Sequence, residues 1–345
     1  MITYFNAQHG LHQGQVEMFR GALVPCHEVP ARADHVLAEL QQRGFAQIQA
    51  PTPFDDALLE GVHSPRYLNF LRTAWEQWVA LDPANAQRDA LPSVWPVRTF
   101  RSDIEPQNFA ARMGLYSYDA GSPLTAGTWV AARAGADCAL SAAQRIVQGD
   151  RAAFALSRPP GHHAGADFFG GYCFLNNAAL AAHSLREQGL ERVAILDVDY
   201  HHGNGTQAIF YRRSDVFFAS IHGDPRTEYP FYLGHADETG EGEGLDSNLN
   251  LPLPRGTDFA HWSDALEVAL AAVARHGAEA LVVSLGVDTF EGDPISGFLL
   301  KSEDYLRIGE RLRQTGLPLV LVFEGGYAVR EVGINAVNVL QAVAG

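Results

Sequence analysis

Short runs of apolar, β-branched residues alternate along this chain with longer segments whose apolar residues follow helical spacing. Such alternation predicts a parallel sheet with helices packed on both of its faces. The strand-like runs are continuously apolar, which is typical of strands buried on both sides. The predicted strands are residues 2–5, 152–156, 193–198, 216–221, 281–285 and 317–323. The predicted helices are residues 31–43, 65–79, 126–147, 177–188, 261–275, 302–315 and 332–343.

The pattern favours one large domain over two. A chain of 345 residues is long enough for either arrangement. No internal repeat and no low-complexity linker divides it, and 47% hydrophobic with 19% charged residues is typical of a globular protein with a sizeable core. We therefore predict a single-domain three-layer αβα sandwich over residues 1–345.

Residues 80–124 interrupt the alternation of strands and helices. This segment contains Pro, Asn, Asp, Ser and aromatic residues without clear periodicity. A structureless stretch of this length inside a compact domain is usually functional or covered by a partner, although a plain surface excursion is the simpler alternative. We expect this insertion loop to contribute to the mouth of the site and to contacts between subunits.

Composition narrows the classes of partner and the cellular location. The formal net charge of −15 disfavours nucleic acid, because phosphate binding needs clustered Lys and Arg. A negative field suits cationic ligands, although solubility explains the same charge. Three scattered cysteines, Cys26, Cys138 and Cys173, provide neither a disulfide framework nor a thiolate zinc cluster. With no visible signal peptide and no long apolar stretch, we predict a cytoplasmic protein without a membrane partner.

Polar residues with catalytic potential follow four of the predicted strands. In an open parallel sheet, ligands bind beyond the carboxyl ends of the strands. Four such ends therefore bring His, Asp and Tyr side chains around one crevice. The segments in question read RPPGHH from Arg158, DVDYHHGNG from Asp197, GVD from Gly286 and EGGY from Glu324.

Three of these residues have the chemistry of a catalytic metal site. Asp199 and His201 are two residues apart and would point the same way on an extended segment. Asp288, from another strand end, could complete a set of three ligands. Two carboxylates and one imidazole suit a catalytic Zn²⁺ or Fe²⁺ with an open position rather than a closed structural site. Asp197 is then expected behind the ligands, where a carboxylate orients a histidine.

A second group of residues could move protons and stabilise charge. His162 and His163 follow a Pro-Pro-Gly turn that should hold them rigidly, and a neutral imidazole is the usual general base for water activated by a metal. Tyr327 follows paired glycines that permit a sharp turn, and its phenol could stabilise an oxyanion. Loop-capping histidines and an ordinary half-buried tyrosine are the simpler alternatives.

Several long motifs, in a consistent order, resemble the histone deacetylase superfamily. The motifs are RPPGHHA, GGYCFLNNAA, ILDVDYHHGNGTQ, SIHGDP, SLGVDTFEGDP and FEGGY. This resemblance implies an arginase-like α/β fold with a mostly parallel sheet of about eight strands. Within the superfamily the sequence is most similar to the bacterial acetylpolyamine amidohydrolases, through GALVPCHEVPARAD, SDIEPQNF and VDTFEGDPIS.

The resemblance implies a zinc-dependent deacetylase. Asp199, His201 and Asp288 would bind Zn²⁺, with Fe²⁺ as an alternative ion. His163 would act as the general base and would then protonate the leaving amine. Tyr327 and the metal would polarise the carbonyl oxygen of the acetamide.

The resemblance also implies roles for residues behind the metal. His162 would assist electrostatically and would be held in place by Asp197. A structural potassium ion would be bound by Asp197 together with backbone carbonyls near His201, Ser220 and Ile221.

Asn204 stands where some relatives have an aspartate behind the second histidine of the pair. A neutral partner stabilises an imidazolium less, so His163 should be less basic than it would be beside a carboxylate. Other members of the superfamily also carry Asn at this position, and we do not expect the difference to abolish activity.

The implied substrate is a small cationic acetylated amine such as acetylputrescine or acetylcadaverine. An apolar-walled tunnel suits its methylene chain, and the resemblance assigns Gly171, Tyr172 and Tyr229 to substrate binding. Acidic residues of the insertion loop, partly from a neighbouring subunit of a homodimer, would bind the distal ammonium, and Glu105 fits one such position. Where a second glutamate is expected the chain reads DAG, so Asp119 is the candidate substitute and the preferred chain length stays open.

Three other functions are open. A protein deacetylase acting on acetyl-lysine would use the same chemistry, and a mouth narrowed by residues 80–124 would argue against it. A binuclear manganese hydrolase would need further carboxylates, and the tandem histidines and the Gly-Gly-Tyr turn disfavour it. A catalytically dead binding module would be expected to lose Tyr327, His163 or a metal ligand, and all are present, although a fold alone never proves function.

Overall fold

An eight-stranded parallel sheet forms the centre of the computed structural model, which describes residues 1–345. The strands of the chain are β1 (Ile2–Phe5), β2 (Val16–Phe19), β3 (Ala22–Pro25), β4 (Ile48–Gln49), β5 (Ala152–Leu156), β6 (Val193–Asp197), β7 (Val216–Gly223), β8 (Asn248–Leu253), β9 (Ala280–Leu285) and β10 (Leu319–Phe323). Strands β2 and β3 pair as a separate antiparallel hairpin. The other eight lie in the order β4-β1-β5-β10-β9-β6-β7-β8, and every pairing is parallel.

Helices cover both faces of this sheet. They are α1 (Ala31–Gln42), α2 (Ala57–Glu60), α3 (Pro65–Leu81), α4 (Phe109–Leu115), α5 (Thr128–Val147), α6 (Asn177–Glu187), α7 (Asn204–Phe210), α8 (Phe259–His276), α9 (Asp304–Gln314) and α10 (Val329–Ala344). None of them combines the length and the apolarity that a membrane span requires.

Alternate residues of single strands enter two separate apolar cores. Ala153 and Ala155 of β5 pack with α3, α5 and α6, whereas Phe154 and Leu156 pack with α1, α8, α9 and α10. Burial on both sides explains why the strands are continuously apolar. The predicted three-layer αβα sandwich is confirmed.

Every strand and helix predicted from the sequence is present, with ends displaced by three residues or fewer. Strand β8 was not predicted, because Asn and Leu alternate in it and Pro252 interrupts it. Proline cannot donate a hydrogen bond to a neighbouring strand, so it is tolerated only where one side of a strand is unpaired. Strand β8 lies at the edge of the sheet, which satisfies this condition.

Local signals define several of the helix ends. The side chains of Ser64, Asn176 and Asp258 each accept a hydrogen bond from a first-turn amide of α3, α6 and α8, respectively. Pro65 begins α3 at a position where its missing N–H costs nothing. Gly277 ends α8 with a left-handed backbone, φ +74°.

Residues 80–124 contain two helices that the sequence did not reveal, α4 and a short 3-10 helix at Pro83–Gln87, together with extended and turn segments. The side chain of Asn108 caps α4, and a short bridge between Ala90 and Leu124 closes the base of the loop. Four apolar side chains between residues 94 and 104 are 51–65% exposed, which makes this surface a candidate for contacts with another molecule. They are Val94, Val97, Phe100 and Ile104.

Candidate metal centre and active site

A cavity of about 470 Å³ lies beside the carboxyl ends of the central strands. His163, His201 and Tyr327 line it, and they follow strands β5, β6 and β10, respectively. The neighbouring strand ends of a parallel sheet therefore bring together three residues that are far apart in the chain.

Asp199, His201 and Asp288, the Asp-His-Asp group, converge at the inner side of this cavity. One ligand atom from each lies within 4.8 Å of the other two. The Nδ1 atom of His201 is 2.9 Å from Asp288 Oδ2 and 3.4 Å from Asp199 Oδ1. Asp199 and His201 point toward the same group, as expected, although β6 ends at Asp197 and residues 199–201 bend instead of continuing the strand.

The donor chemistry and the electrostatics of this group fit a divalent cation. Burial and the nearby charge of Asp199 raise the pKa of Asp288 to about 7, so each of these two buried carboxylates disfavours ionisation of the other. Two carboxylates and one imidazole match the ligands of catalytic Zn²⁺, and Fe²⁺ accepts the same donors. Backbone amides orient the oxygens, with Gly325 N donating to Asp199 Oδ2 at 2.8 Å and Tyr200 N donating to Asp288 Oδ1 at 2.7 Å.

Two glycines allow the backbone to close around Asp199. A Cβ atom on Gly286 would lie 2.1 Å from Asp199 Oδ2, and one on Gly325 would lie 2.4 Å from the same oxygen. Contacts this short exclude any side chain at either position. The close approach gives a physical reason for glycine in the GVD and EGGY segments.

His162 and His163 lie side by side, with ring centroids 4.0 Å apart. The Nδ1 atom of His162 is 2.9 Å from Asp197 Oδ2, and that of His163 is 2.7 Å from Asn204 Oδ1. Burial disfavours protonation of His162, but the charges of Asp199 and Asp197 outweigh it and raise its pKa to about 10. Burial and the neighbouring His162 hold the pKa of His163 well below its ordinary value. The pair therefore combines one cationic and one neutral imidazole.

Tyr327 is held by contacts to both its backbone and its ring. Its N–H donates to Asp293 Oδ2 at 2.7 Å, and the guanidinium of Arg32 packs 4.8 Å from its ring centroid. Arg32 is fully buried, pairs with Glu28 at 2.7 Å and donates to the carbonyl of Gly326. These contacts position the phenol beside the cavity.

The predicted substrate-binding residues Gly171, Tyr172, Tyr229 and Asp119 all line the cavity. The rings of Tyr229 and His163 are nearly perpendicular, with centroids 5.2 Å apart. Gly171 has φ +53°, and a Cβ atom there would lie 2.2 Å from His163 Cδ2. Asp119 accepts hydrogen bonds from Gly171 N at 2.8 Å and from the Tyr229 hydroxyl at 2.6 Å. The carboxylate of Asp119 therefore holds Gly171 and Tyr229 in position, and it also lines the cavity.

Glu105 does not reach the cavity within a single chain. Its carboxylate lies 2.6 Å from Arg112 Nη2 and accepts a hydrogen bond from the Tyr116 hydroxyl at 2.8 Å. A contact between Glu105 and substrate therefore depends on a neighbouring subunit, and its role stays a prediction.

The residues expected to bind potassium lie together at strands β6 and β7. Asp197 is directly opposite Ser220 in the parallel register. The Ser220 hydroxyl contacts His222 Nδ1 at 2.8 Å, and Ile221 follows Ser220 on β7. Carboxylate and carbonyl oxygens suit a hard cation, and the potassium site stays a prediction.

The family of the chain follows from comparison with known proteins. A family model for the histone deacetylase domain matches residues 26–343. The chain belongs to the histone deacetylase family. The predicted resemblance to this family and to its acetylpolyamine amidohydrolases is confirmed.

Three relatives of this deacetylase-family chain match it over almost their whole length. Acetylpolyamine amidohydrolase 2 of Pseudomonas aeruginosa is 52% identical and covers 100% of this chain and 99% of its own. Acetylpolyamine amidohydrolase of Mycoplana ramosa is 48% identical and covers 100% of both chains. The crystal structure of acetylpolyamine aminohydrolase from Burkholderia pseudomallei has a TM-score of 0.94 at 39% identity, covering 99% of this chain and 98% of that one.

Sequence reasoning missed the charged residues that support this deacetylase-family site. Glu28 is buried between Arg32 and Arg158 and forms a two-point ion pair with Arg158, at 2.7 and 2.8 Å. Burial raises the pKa of Glu28, but the two guanidinium groups outweigh it and lower the pKa to about 2. Glu324 accepts a hydrogen bond from Gly161 N at 2.6 Å. Arg158 and Glu324 belong to the RPPGHH and EGGY segments, so their place in these motifs could have indicated that they support the site.

Glu17 is a further residue that the sequence did not single out. It lies on β2, is almost fully buried, and accepts hydrogen bonds from the Tyr172 hydroxyl at 2.9 Å and from His27 Nδ1 at 2.6 Å. Tyr172 has φ +67°, a left-handed backbone that is unusual for a bulky residue. The contact with Glu17 holds the phenol of this aromatic wall in place.

Proposed function

We propose that this member of the histone deacetylase family removes acetyl groups from small acetylated polyamines and diamines such as acetylputrescine and acetylcadaverine. The observation that carries the proposal is the buried Asp-His-Asp group beside His163 and Tyr327 at one cavity. The substrate class is supported by relatives named acetylpolyamine amidohydrolases, which are 48–52% identical to this chain over its full length.

The Asp-His-Asp group would hold Zn²⁺, or Fe²⁺ as the alternative. When bound, such an ion supplies Lewis acidity that polarises the acetamide carbonyl and makes water a better nucleophile. Asp197, with backbone carbonyls near His201, Ser220 and Ile221, would hold a structural potassium ion.

Proton transfer is assigned to His163. Its lowered pKa keeps the imidazole neutral near pH 7, so it can accept a proton from the attacking water and then give that proton to the leaving amine. Hydrogen bonding of Nδ1 to Asn204 leaves Nε2 for this task. The cationic His162, held by Asp197, adds positive charge that favours the developing oxyanion. Tyr327 would donate its phenolic proton in a hydrogen bond to that oxygen.

The cavity lining supports a substrate with an apolar chain and a cationic end. Eight of its sixteen lining residues are hydrophobic, which suits a run of methylene groups. Asp119 and Glu228 contribute acidic groups to the lining, while the guanidinium of Arg20 stacks 5.0 Å from the ring of Phe19. A net charge of −15 steers cations toward the protein.

A homodimer that buries part of the insertion loop is also proposed. The exposed apolar side chains of residues 94–104 support it, because such patches on soluble proteins commonly mark contact surfaces. Sedimentation at equilibrium should give twice the mass of the chain, and the mass of a single chain would contradict the proposal. Location in the cytoplasm stays a prediction.

The test is amine release by the zinc-loaded protein. Acetylputrescine and acetylcadaverine are compared with an acetyl-lysine peptide at equal concentration, and a matched sample stripped of metal by a chelator serves as the control. The free diamines should be hydrolysed with the higher kcat/KM, and the stripped sample should be inactive until metal is restored.

The other outcomes separate chemistry from substrate class. Preference for the peptide would keep the hydrolytic mechanism and overturn the polyamine assignment. Full activity after removal of all metal would overturn the role of the Asp-His-Asp group. Hydrolysis of none of the three substrates would contradict the proposed function.

A further inference from the structure

A second group of potential metal ligands lies behind the histidine pair. His162, Cys173 and Glu324 each present one ligand atom, and these atoms lie within 4.8 Å of one another. None of the three residues is more than 2% exposed. The proposed reaction uses neither Cys173 nor Glu324, so their convergence on His162 calls for a separate explanation.

One oxygen of Glu324 has no partner. Its Oε2 atom accepts hydrogen bonds from Gly161 N at 2.6 Å and His162 N at 3.2 Å, whereas its buried Oε1 atom contacts no donor. Burial raises the pKa of Glu324 to about 8, and a buried carboxyl oxygen without a partner is costly, so native proteins rarely leave one unsatisfied. The unpartnered oxygen is an indication of a ligand that is independent of the residue types in the group.

Each of the other two side chains can present one ligand atom after losing a proton. The Nδ1 atom of His162 is engaged by Asp197, so Nε2 is the nitrogen that would bind a metal once its proton is released. Cys173 Sγ donates a hydrogen bond to the carbonyl oxygen of Gly171 at 3.2 Å and also lies near the backbone N–H of His163. Asp199 Oδ1 lies 3.8 Å from His162 Nε2, so a buried carboxylate is close to this group.

We propose that His162, Cys173 and Glu324 form a second, inhibitory metal site that takes Zn²⁺ or Cd²⁺ supplied in excess. Thiolate, imidazole and carboxylate are all established donors to Zn²⁺, and the thiolate favours soft ions over Mg²⁺ or Ca²⁺. Binding releases two protons to solvent, the thiol proton of Cys173 and the Nε2 proton of His162, as the metal–sulfur and metal–nitrogen bonds form. The site is distinct from the Asp-His-Asp group, which contains no sulfur.

Occupancy of this site would oppose the reaction in two ways. Ligation of His162 replaces its proton with a fixed metal bond. The added positive charge lies next to His163, whose ring centroid is 4.0 Å from that of His162, and lowers its basicity further. The inhibition rests on the proposed function, whereas the existence of the metal site does not.

Cadmium absorbance tests the site without reference to activity. Protein carrying a single equivalent of Zn²⁺ is titrated with Cd²⁺, and the ultraviolet charge-transfer band of a cadmium–thiolate bond is recorded. Wild-type protein should develop the band, and Cys173→Ala should not. Glu324→Gln should need about tenfold more Cd²⁺, since a ligand of reduced basicity weakens binding. Cys26→Ser is the matched control and should behave as wild type, because Cys26 is a free, partly exposed cysteine outside the group.

Each result bears on a distinct part of the proposal. A wild-type protein without the band, or a Cys173→Ala protein that keeps it, would overturn the site. Unchanged Cd²⁺ affinity in Glu324→Gln would remove the carboxylate from the ligand set and overturn the three-ligand assignment. If Cys26→Ser keeps the wild-type band position and Cd²⁺ affinity, the thiol of Cys26 is excluded as the source of the band.

The inhibitory effect is measured on acetylputrescine hydrolysis as free Zn²⁺ rises above a single equivalent. The wild-type rate should fall, and about tenfold more Zn²⁺ should be needed for the same fractional loss in Cys173→Ala. If the cadmium–thiolate band appears but excess Zn²⁺ does not lower the rate, the proposed inhibition is wrong and the metal site itself still stands. Absence of hydrolysis at every zinc level would instead contradict the proposed function, and the cadmium result would still stand.

Discussion

Replacing Asn204 with aspartate tests the assignment of His163 as the general base. The amide oxygen of Asn204 lies 2.7 Å from His163 Nδ1, and both side chains are buried. Aspartate has nearly the same shape and places a negative charge where the amide now presents a dipole. The pKa of His163 should therefore rise, because the carboxylate stabilises the imidazolium.

The size of the rise follows from the geometry. Opposite charges about 4 Å apart interact by about 4 kcal/mol at an effective dielectric constant of about 20. Since one pKa unit corresponds to about 1.4 kcal/mol, the upper limit is about 3 units. Burial of the new carboxylate reduces this value, and so does its hydrogen bond from the Tyr118 hydroxyl, which now lies 3.4 Å from Asn204 Oδ1. We expect a rise of about 1–2 units.

The assay is the pH dependence of kcat/KM for acetylputrescine hydrolysis by zinc-loaded protein. The neutral base is lost as pH falls through the pKa of His163, so Asn204→Asp should move the acid limb to higher pH by about 1–2 units. Asn69→Asp, on the exposed side of α3, changes the net charge equally and should leave the limb in place. Superimposable acid limbs for Asn204→Asp and wild type, at equal metal content, would refute the assignment.

Four further predictions address the oxyanion, the metal, the buried ion pair and acid stability. Tyr327→Phe should lower turnover about 10²–10³-fold at unchanged metal content, and unchanged turnover would exclude the oxyanion role. His201→Ala should abolish metal binding, and full zinc occupancy of the purified variant would contradict the ligand assignment. Glu28→Gln leaves the buried guanidinium groups of Arg32 and Arg158 without their counter-charge. The free energy of unfolding, measured in urea, should therefore fall by about 3–5 kcal/mol. A loss under about 1 kcal/mol would show that the ion pairs of Glu28 are dispensable for stability. Burial lowers the pKa of His63 to about 4, below its value of about 6.5 in the unfolded chain, so its contribution to stability is complete above about pH 6.5 and declines as pH falls toward 4. His63→Gln should therefore lose less stability than wild type between about pH 7 and pH 4.5, and equal losses would contradict this account.

Most of the core secondary structure could be predicted because local patterns decide it. Buried parallel strands need continuous apolar runs, and β5 and β6 begin where those runs begin. Strand β8 could not be predicted, since its alternating Asn and Leu and its Pro252 become a strand only through its place at the sheet edge. Helix α4 lies in a segment without periodicity, where the Asn108 cap and tertiary contacts define it.

The sequence by itself determined the family, the sandwich and the residue types of the candidate site. Parallel strands end at a common edge, so side chains that follow several strands must meet there whatever their separation in the chain. This reasoning brought together the Asp-His-Asp group, the histidine pair and Tyr327, although the segment from Asp199 to His201 bends where an extended backbone was expected.

Only the tertiary structure decided which groups surround each of these side chains. It placed Glu28 between Arg32 and Arg158, the latter 130 residues away, and left Glu105 paired with Arg112 outside the cavity. Burial and charge pairing set the protonation states of the two histidines, and both depend on atoms contributed by distant segments. A linear pattern records residue types and spacings, whereas these free energies depend on distances and solvent exclusion that arise only when the chain is folded.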